Sequence, residues 1–587
     1  MKAVLAAVNA KYIHSNPAVY SLRAYAQAAG GEVEIREYTI NHRREDVLRD
    51  LFQRSPQLVG FSCYIWNISM IRALIVDLAL ILPDTAIWLG GPEVSFDCGR
   101  LLGELPQVKG IMRGEGEETF AELLKAYEDQ ERREGRFTEL PDSILTQIPG
   151  LTFREKDGQI CENQERGLLE LDRIPFYYTR IPKEQMEHRI VYYESSRGCP
   201  FSCAYCLSSV EKGLRFRSLE KVFEELDWLI KQGTPQVKFV DRTFNCKKSR
   251  ALAIWKHIMD KDRGITNFHF EIAADLLDEE ELSLLEAMRP GLVQLEIGVQ
   301  STNQETLKAI RRVTDLEKIR SRTERIRQSH NIHQHLDLIA GLPYEDFASF
   351  QNSFNQVYSL NPDQLQLGFL KVLKGSPMAA EAAGYGIVSS PNPPYEVLST
   401  PWISHGQLLK LKQVEEMVEV YYNSRQFTHT LKRLLGEFPS PYEMFSALAR
   451  FYEEKGLDQV SHSRTARYEI LWSFLSGLED ARERLEDYRD DLMIDLYLRE
   501  NAKSRPSFAR EPALLKKAAG ALLAEQEGEP QVLKEYRQMD SRQRARLFHM
   551  EAVQGGGFVL FDYRTRDPLS YNGAVYPLGR IKQEECR

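Results

Sequence analysis

Two series of short apolar segments alternate with helical patterns, and this alternation restricts the possible folds more than any other feature of the sequence. In the first series, five apolar runs are predicted strands: Lys2–Val8, Val33–Tyr38, Leu58–Tyr64, Ala86–Leu89 and Val108–Met112. Helical patterns lie between and after them, at Pro17–Ala29, Arg44–Gln53, Ser69–Leu82, Gly99–Leu105 and Glu117–Tyr127. Such alternation predicts a parallel sheet with helices on both faces. We therefore expect a flavodoxin-like (Rossmann-type) α/β domain over residues 1–130.

The second series predicts another parallel sheet, over residues 190–385. Its six strand candidates are Ile190–Glu194, Gln236–Val240, Phe268–Ala273, Leu292–Val299, His333–Ala340 and Gln364–Leu370. Right-handed crossovers between parallel strands would curl these into a partial (β/α)6 barrel. In both kinds of fold, ligands bind beyond the carboxyl ends of the strands.

The remaining segments predict a connector and a mainly α C-terminal domain. Residues 131–189 are expected to link the two sheets and contain a hairpin, Ile148–Arg154 with Gln159–Glu162, turning at Asp157-Gly158. Residues 386–587 carry helical patterns that we expect to cap the barrel mouth, followed by two short strands. The helices are predicted at Gly406–Tyr422, Pro441–Lys455, Arg467–Tyr488, Glu511–Glu525 and Val532–Phe548, and the strands at Gly557–Tyr563 and Ala574–Leu578.

Composition narrows the class of protein. A chain of 587 residues is too long for one hydrophobic core, so several domains are expected. Its apolar runs are all shorter than the ~20 residues that span a bilayer, so no membrane association is expected. A net charge of −9 argues against bulk nucleic-acid binding. Eight cysteines are few, and their one cluster has metal-like spacing, which favours a reducing cytoplasm.

That cluster is a C-x3-C-x2-C run formed by Cys199, Cys203 and Cys206, directly after a predicted strand. Thiolates favour zinc, copper(I) and iron–sulfur clusters. A structural zinc site takes four ligands, and the candidates for a fourth, His188 and Cys246, are not within the run. An iron–sulfur cubane held by three cysteines fits the count better, because one iron then stays open for a substrate. Zinc binding and three unrelated buried cysteines are the alternatives.

The cysteine spacing resembles that of the radical S-adenosylmethionine (SAM) superfamily, in which the open iron of a [4Fe-4S] cluster chelates SAM. The strings LEIGVQS (295–301), TLKAIRR (306–312) and DLIAGLP (337–343) resemble the branch with oxygen-independent coproporphyrinogen oxidase and the methylthiotransferases. The resemblance implies SAM contacts by Tyr205, Asp241, Glu271, Gln300, Arg312 and Asp337. Asp241-Arg242-Thr243 replaces the usual Gly-Gly-Glu turn of the family. Internal salt bridges or strand-end hydrogen bonds are the alternative roles for these residues.

The first domain resembles cobalamin-binding domains. Ser62 and Gly90-Gly91 fall at the spacing of that family's S-x-L and G-G elements. The resemblance implies a cobalamin site formed by His14, Ser62, Gly90, Gly91, Gly114 and Glu115. The family's D-x-H-x-x-G loop keeps only its histidine here, as His14, with Tyr12 for the aspartate and Pro17 for the glycine. His14 is therefore either an axial ligand of cobalt or a residue that lines the pocket or caps a helix. The rival interpretation is a flavodoxin-like scaffold without a ligand.

Together these resemblances identify a cobalamin (B12)-binding-domain-containing radical SAM protein. They imply an enzyme that cleaves SAM reductively at a [4Fe-4S] cluster and methylates an unactivated carbon of a small-molecule or peptide substrate. An external electron donor of flavodoxin or ferredoxin type is expected, and a nucleic-acid partner is not. Three alternatives stay open: a cobalamin-dependent rearrangement or cyclisation enzyme, an RNA-modifying enzyme of methylthiotransferase type, and a non-catalytic cobalamin or redox sensor.

Overall fold

The computed structural model describes residues 1–210, 213–511, 531–554 and 557–578. Its first sheet has seven strands in the order β2-β1-β3-β4-β5-β6-β7. They are β1 (Ala3–Asn9), β2 (Glu34–Thr39), β3 (Leu58–Ser62), β4 (Ala86–Gly90), β5 (Val108–Met112), β6 (Leu151–Arg154) and β7 (Ile160–Glu162). Strands β1 to β5 are parallel, which confirms the predicted fold. Strands β6 and β7 are the predicted hairpin, and they extend this sheet antiparallel, so the connector contributes to the first domain.

Helices cover both faces of the first sheet because its central strands are apolar on both sides. Ala3, Leu5 and Ala7 of β1 pack into one core, and Val4 and Val8 pack into another on the opposite face. The helices are α1 (Pro17–Ala28), α2 (Arg44–Arg54), α3 (Ile68–Ile81), α4 (Cys98–Glu104), α5 (Gly116–Glu134) and, after the sheet's parallel part, α6 (Asp142–Leu145) and α7 (Lys183–Met186). This arrangement leaves the carboxyl ends of the parallel strands free to form a ligand site.

The second sheet has six parallel strands in the order β15-β14-β13-β12-β11-β8, as the sequence predicts for a partial barrel. In chain order the strands are β8 (Val191–Tyr193), the two-residue β9 (Ser196–Arg197) and β10 (Arg215–Phe216) that pair with each other, β11 (Gln236–Phe239), β12 (Asn267–Ile272), β13 (Val293–Gln300), β14 (His333–Ala340) and β15 (Gln364–Phe369). The connecting helices are α8 (Leu219–Lys231), α9 (Lys248–Lys261), α10 (Glu279–Glu286), α11 (Gln304–Ala309), α12 (Leu316–Ser329) and α13 (Phe347–Ser359).

Alternation along the strands gives the barrel an apolar outer face and a polar inner face. On β12, Phe268 and Phe270 are buried in the core under the helices, and Phe270 contacts Trp255 of α9. Successive strand residues point to opposite faces, so His269 and Glu271 point into the barrel. Carboxylates inside these strands therefore line the barrel interior.

The C-terminal region starts by adding to the open edge of the barrel. Residue Lys371, just after β15, forms an antiparallel bridge with Glu396. Around that bridge lie α14 (Pro377–Glu381), β16 (Val388–Ser389) and β17 (Val397–Ser399). The helices that follow are α15 (His405–Met417), α16 (Thr428–Leu434), α17 (Pro441–Glu454), α18 (Arg464–Gly477), α19 (Leu485–Arg499), α20 (Gln531–Gln538) and α21 (Ser541–Leu547), and the last sheet is β18 (Phe548–Val553), β19 (Gly557–Arg566) and β20 (Gly573–Leu578).

Two predicted C-terminal helices are wrong in extent. The helix expected over Arg467–Tyr488 is two helices, because the chain leaves α18 at Gly477 and restarts at Leu485. The helix expected over Val532–Phe548 breaks at Asp540, whose carboxylate caps α21, and Phe548 opens a strand. The helix expected over Glu511–Glu525 lies almost entirely outside the described residues. Among the helices that the structure describes, none has the length and apolar character to cross a membrane.

Candidate active site

The carboxyl ends of the two parallel sheets meet at one cavity of about 840 Å³. From the first domain it is lined by Ser62, Tyr64, Gly90, Gly91, Gly114 and Glu115, and from the barrel domain by Tyr192, Glu194, Arg197, Gly198, Leu207 and Arg242. The first set lies at or after the ends of β3, β4 and β5, and the second at or after the ends of β8 and β11. The carboxyl ends of the two sheets thus open onto one cavity, which Gly198 and Leu207 border on either side of the three cysteines; the cysteines themselves are not among its lining residues.

A glycine turn forms the first domain's wall of the cavity. Gly91 has a φ of 111°, and a Cβ there would lie 2.5 Å from the carbonyl oxygen of Cys63. Only glycine fits such a conformation and such a contact without strain. Ser62 at the end of β3 accepts a hydrogen bond from Asn16 at 3.1 Å. Gly90, Gly91 and Ser62 therefore present a close-packed backbone surface on which a large flat ligand can lie.

Two other residues predicted for cobalamin make contacts of a different kind. The His14 ring lies 2.6 Å from the hydroxyl of Tyr192 in the first barrel strand, and His14 is not among the residues that line the cavity. Burial, together with the charges of Lys11 and Lys238, lowers the pKa of His14. The ring thus joins the two domains, and ligation of cobalt by His14 stays a prediction.

Glu115 is the second of these residues. Its carboxylate accepts hydrogen bonds from Leu169 N at 2.9 Å and from Arg215 at 3.0 Å. Burial alone would raise the pKa of Glu115, but Arg215 and Arg197 more than offset this and hold it below its ordinary value. Glu115 therefore fixes the first domain to the segment around the cysteines, while its neighbour Gly114 lines the cavity with a φ of 66°.

The loop that carries the three cysteines is fixed by its backbone. Gly198 has a φ of 92°, and a Cβ there would lie 2.7 Å from the carbonyl oxygen of Gly213. Ala204 N donates to Ile310 O at 2.9 Å, and Ala204 O accepts from Met378 N at 2.8 Å. None of the cysteines in the described residues forms a disulfide. The loop thus offers three free thiols on a fixed scaffold, a donor set suited to an iron–sulfur cluster.

Arg312 places a buried positive charge beside this loop. Its Nη1 lies 3.9 Å from Cys203 Sγ and 3.4 Å from the hydroxyl of Tyr205. Burial raises the pKa of the Cys203 thiol, and Arg312 opposes that rise. The Nε of Arg312 is buried without a hydrogen-bond partner among the described residues. A buried donor of this kind fits an anionic ligand that would sit against the loop.

Gln300 comes together with Arg312 over Gly298. A Cβ on Gly298 would lie 2.2 Å from Gln300 Nε2 and 3.3 Å from Arg312 Nη2. Gln300 adopts a φ of 71°, which is costly for a residue with a side chain. Backbone strain of this kind tends to occur at ligand sites. Four residues of the predicted SAM site and cluster, Cys203, Tyr205, Gln300 and Arg312, therefore lie together.

Asp241 instead supports the entry to the cysteine loop. Its carboxylate accepts hydrogen bonds from Ser195 N at 2.9 Å, from Ser195 Oγ at 2.7 Å and from Ser196 Oγ at 2.5 Å. The side chain is buried, and Thr243 of the same turn lies 3.7 Å from Cys199 Sγ. These contacts are the strand-end hydrogen bonds considered above as the alternative role, and contact with SAM stays a prediction.

Charged residues fill the barrel interior below the cavity. Glu296 contacts Lys238 and His269, each at 2.9 Å, and these partners hold its pKa well below the ordinary value despite burial. Asp337 lies 3.0 Å from His335, and burial raises its pKa. The predicted residues Glu271 and Asp337 thus belong to a larger polar group. Sequence reasoning missed Lys238, His269 and His335, although their alternation with apolar neighbours along each strand was a usable signal.

Ligand atoms of Glu296, His335 and Asp337 lie within 4.8 Å of one another. That spacing is short enough for a metal ion, but the Lys238 ammonium already binds Glu296 at 2.9 Å. A metal cation in this place would be repelled by the Lys238 ammonium. We therefore assign no metal to the barrel interior.

Comparison with protein families agrees with this geometry. Residues 3–124 match the B12 binding domain, and residues 193–357 match the radical SAM superfamily. The chain contains a B12 binding domain and a radical SAM domain. Residues 383–556 match a family described as a protein of unknown function, DUF4080. The first sheet with its helices is hereafter the B12 domain, and the barrel is the radical SAM domain.

Curated proteins resemble the chain over more than half of its length. The cobalamin-dependent radical SAM methyltransferase TokK of Streptomyces tokunonensis is 24% identical over 340 residues, which cover 55% of this chain and 48% of TokK. The anaerobic magnesium-protoporphyrin IX monomethyl ester cyclase of Rubrivivax gelatinosus is 25% identical over 358 residues, 58% of this chain and 61% of the cyclase. The chain therefore spans about half to three fifths of these relatives.

A solved structure supports the arrangement of the fold. The cobalamin-dependent SAM radical enzyme OxsB, in a structure with aqua-cobalamin bound, superposes with a TM-score of 0.57 at 14% identity. The match covers 84% of this chain and 76% of OxsB. At that identity the likeness concerns the fold.

Proposed function

We propose that the protein is a cobalamin-dependent radical SAM methyltransferase that acts on an unactivated carbon of a small-molecule or peptide substrate. One observation carries the proposal: the glycine turn of the B12 domain borders the same 840 Å³ cavity as Gly198 and Leu207, which flank the three cysteines of the radical SAM domain. A methyl donor, SAM and a substrate can only react together if their sites adjoin, because proximity and orientation supply much of the catalytic effect.

The residues present fit the expected cofactors. Cys199, Cys203 and Cys206 would hold a [4Fe-4S] cluster, and Gly90 and Gly91 would lie against a corrin. When bound, the cluster supplies the electron that cleaves SAM to methionine and a 5′-deoxyadenosyl radical, and the corrin supplies the methyl group. The protein itself binds, aligns and shields these groups from water.

Side chains of the radical SAM domain would orient SAM. Arg312 has a buried, unpartnered Nε among the described residues and lies beside Cys203, so it would bind the SAM carboxylate. Gln300, held against it over Gly298, would add a hydrogen bond. Glu271 and Asp337 face the barrel interior, where they would accept from hydroxyl or amine groups.

A cyclisation or rearrangement reaction is the second candidate, because the chain also resembles an anaerobic cyclase over 58% of its length. Both reactions need the same cavity. They differ in whether a methyl group appears in the product. An RNA-modifying activity has less support, because a net charge of −9 opposes binding to a phosphate backbone. We further propose that the protein works in the cytoplasm with a flavodoxin- or ferredoxin-like electron donor.

The first test is reconstitution of the cluster under anaerobic conditions. We expect iron and acid-labile sulfide near four of each per chain, and 5′-deoxyadenosine when SAM and dithionite are added. Cys203→Ala should lose both, because one thiolate ligand is removed. Cys161→Ala is the matched control, since Cys161 is a free cysteine on β7 outside the site. Equal cluster content in both variants would contradict the proposal.

The second test separates methyl transfer from the other reactions. With SAM labelled in its methyl group, a methyltransferase yields labelled product and S-adenosylhomocysteine, and a cyclase yields neither. A sensor would retain cobalamin and form no 5′-deoxyadenosine.

A further inference from the structure

The positive charges that line the shared cavity differ in whether they have partners. Five arginines of the described residues line it, and four of them are ion-paired. The pairs are Arg113 with Glu162 at 2.6 Å, Arg166 with Glu122 at 2.5 Å, Arg197 with Glu117 at 2.9 Å and Arg217 with Glu225 at 2.5 Å. The fifth, Arg242, forms no ion pair or side-chain hydrogen bond with any residue that the structure describes.

The backbone on both sides of Arg242 is fixed. Asp241 is held by three hydrogen bonds from Ser195 and Ser196. On the other side, Asn245 exchanges two hydrogen bonds of 2.9 Å with the backbone of Ala273. The Arg242 side chain is exposed. The hydrogen bonds on both sides of it fix its backbone, and therefore its position relative to the cysteine loop.

The surroundings of Arg242 place it at the junction of the two domains. Burial raises the pKa of Glu271, inside the barrel, to about 7, and the Arg242 charge opposes that rise. Burial also raises the pKa of Tyr64 in the B12 domain, and Arg242 opposes that rise as well. The Arg242 guanidinium therefore lies within electrostatic reach of Glu271 in the barrel and of Tyr64 on the B12-domain side of the cavity.

We propose that Arg242 binds an anionic group, a carboxylate or a phosphate, of the substrate that reacts between the corrin and SAM. The inference rests on the proposed function and adds the chemical class of the substrate. A guanidinium recognises both anions through paired hydrogen bonds. SAM also carries a carboxylate, but Arg312 beside Cys203 is already placed to bind it. The anion at Arg242 therefore belongs to the other reactant.

The test uses inorganic phosphate and acetate as probes of the cluster-loaded, cobalamin-loaded protein. Calorimetry should detect one binding event that weakens by about tenfold or more in Arg242→Gln, because a charge-assisted interaction is lost, and that is largely retained in Arg242→Lys. Arg263→Gln is the matched control. It removes an exposed arginine ahead of β12, at the opposite end of the barrel, and should bind the probes as the wild type does.

Equilibrium dialysis with labelled SAM tests whether the anion at Arg242 belongs to SAM or to the substrate. The proposal predicts that Arg242→Gln changes the dissociation constant of SAM by less than about threefold, whereas Arg312→Gln weakens it by tenfold or more. A large loss of SAM affinity in Arg242→Gln would assign Arg242 to SAM and overturn the proposal. The absence of any Arg242-dependent binding of the probes would overturn it too.

Formation of 5′-deoxyadenosine by the same wild-type preparation separates this inference from the proposed function. If the nucleoside forms and the Arg242 result is negative, only the substrate class is wrong. If no nucleoside forms, the proposed function itself fails.

Discussion

Glu271 is a carboxyl group inside the barrel with no hydrogen-bond partner among the described residues. Burial is the main cause that raises its pKa to about 7, and the neighbouring charge of Glu296 adds to it. The protonated form is thus favoured in the folded protein. A group of this kind stabilises the fold fully below its unfolded pKa and loses that contribution as pH rises through its folded pKa.

Glu271→Gln should therefore remove a pH dependence of the free energy of unfolding. We expect the variant to be more stable than the wild type at pH 8, by up to about 3 kcal/mol, and to differ little at pH 4.5. Thermal unfolding midpoints of both proteins at the two pH values measure this. An equal difference at both values would show that Glu271 does not carry the titration.

At the scale of single residues, the sequence predicted which side chains would hold a metal cluster, but it did not predict the hydrogen-bond partners of Asp241. The spacing of Cys199, Cys203 and Cys206 predicts a thiolate-held cluster, and the structure places them as free thiols on one loop. The contacts of Asp241 could not be read from the chain, because Ser195 and Ser196 lie more than forty residues away and meet it only after the barrel folds.

The glycine turn after β4 is the element whose conformation the cavity needs most. Gly91→Ala would place a Cβ 2.5 Å from the Cys63 carbonyl oxygen, in a φ region that alanine avoids. We expect a loss of about 1–3 kcal/mol in stability and a preparation that retains less cobalamin. Visible absorption of the bound corrin and a thermal scan measure the two effects.

Gly103→Ala is the control for this change. Gly103 lies in helix α4 of the same domain, and a Cβ there would meet nothing within 4 Å. Because alanine favours helices over glycine by about 1 kcal/mol, this variant should be as stable as the wild type or more so. If both variants kept the corrin equally well, the turn would not be part of its site.

At the scale of elements, periodicity predicted the strands but misjudged the C-terminal helices. Apolar runs between helical patterns fix where each strand of the two sheets lies, so β13 and β14 fall within a residue of their predicted bounds. Between Gly477 and Leu485, however, most residues are charged and also suit an exposed helix face. Gly477 is the one helix-breaking residue at this point, and a single glycine is tolerated inside many helices.

At the scale of the whole molecule, carboxylates of the B12 domain bind the segments of chain that enter and leave the radical SAM barrel. Glu37 pairs with Arg189 at 2.6 Å, and Glu93 pairs with Lys374 at 2.7 Å. Phe96 packs so closely on Gly375 that a Cβ there would lie 2.4 Å from its ring. Partners as far apart in the chain as Glu93 and Lys374 could not be matched from the sequence alone.

Breaking one of these ion pairs should weaken the contact between the B12 domain and the radical SAM domain. Lys374→Met leaves the Glu93 carboxylate buried without its cation, which costs about 3 kcal/mol when such a pair is broken. We expect a lower unfolding temperature and weaker retention of cobalamin. Arg100→Met, which breaks an exposed pair with Asp97 in the same domain, should change stability by less than about 0.5 kcal/mol. Similar effects of the two substitutions would refute a docking role for Lys374.

The bridge between Lys371 and Glu396 has a practical consequence. A fragment that stopped at residue 385 would contain all six barrel strands and still expose the unpaired backbone of the chain after β15. Strand edges with unpaired backbone groups form hydrogen bonds with strands of other molecules, so such a fragment should precipitate on expression. Studies of SAM cleavage in isolation should therefore retain the chain at least through β17.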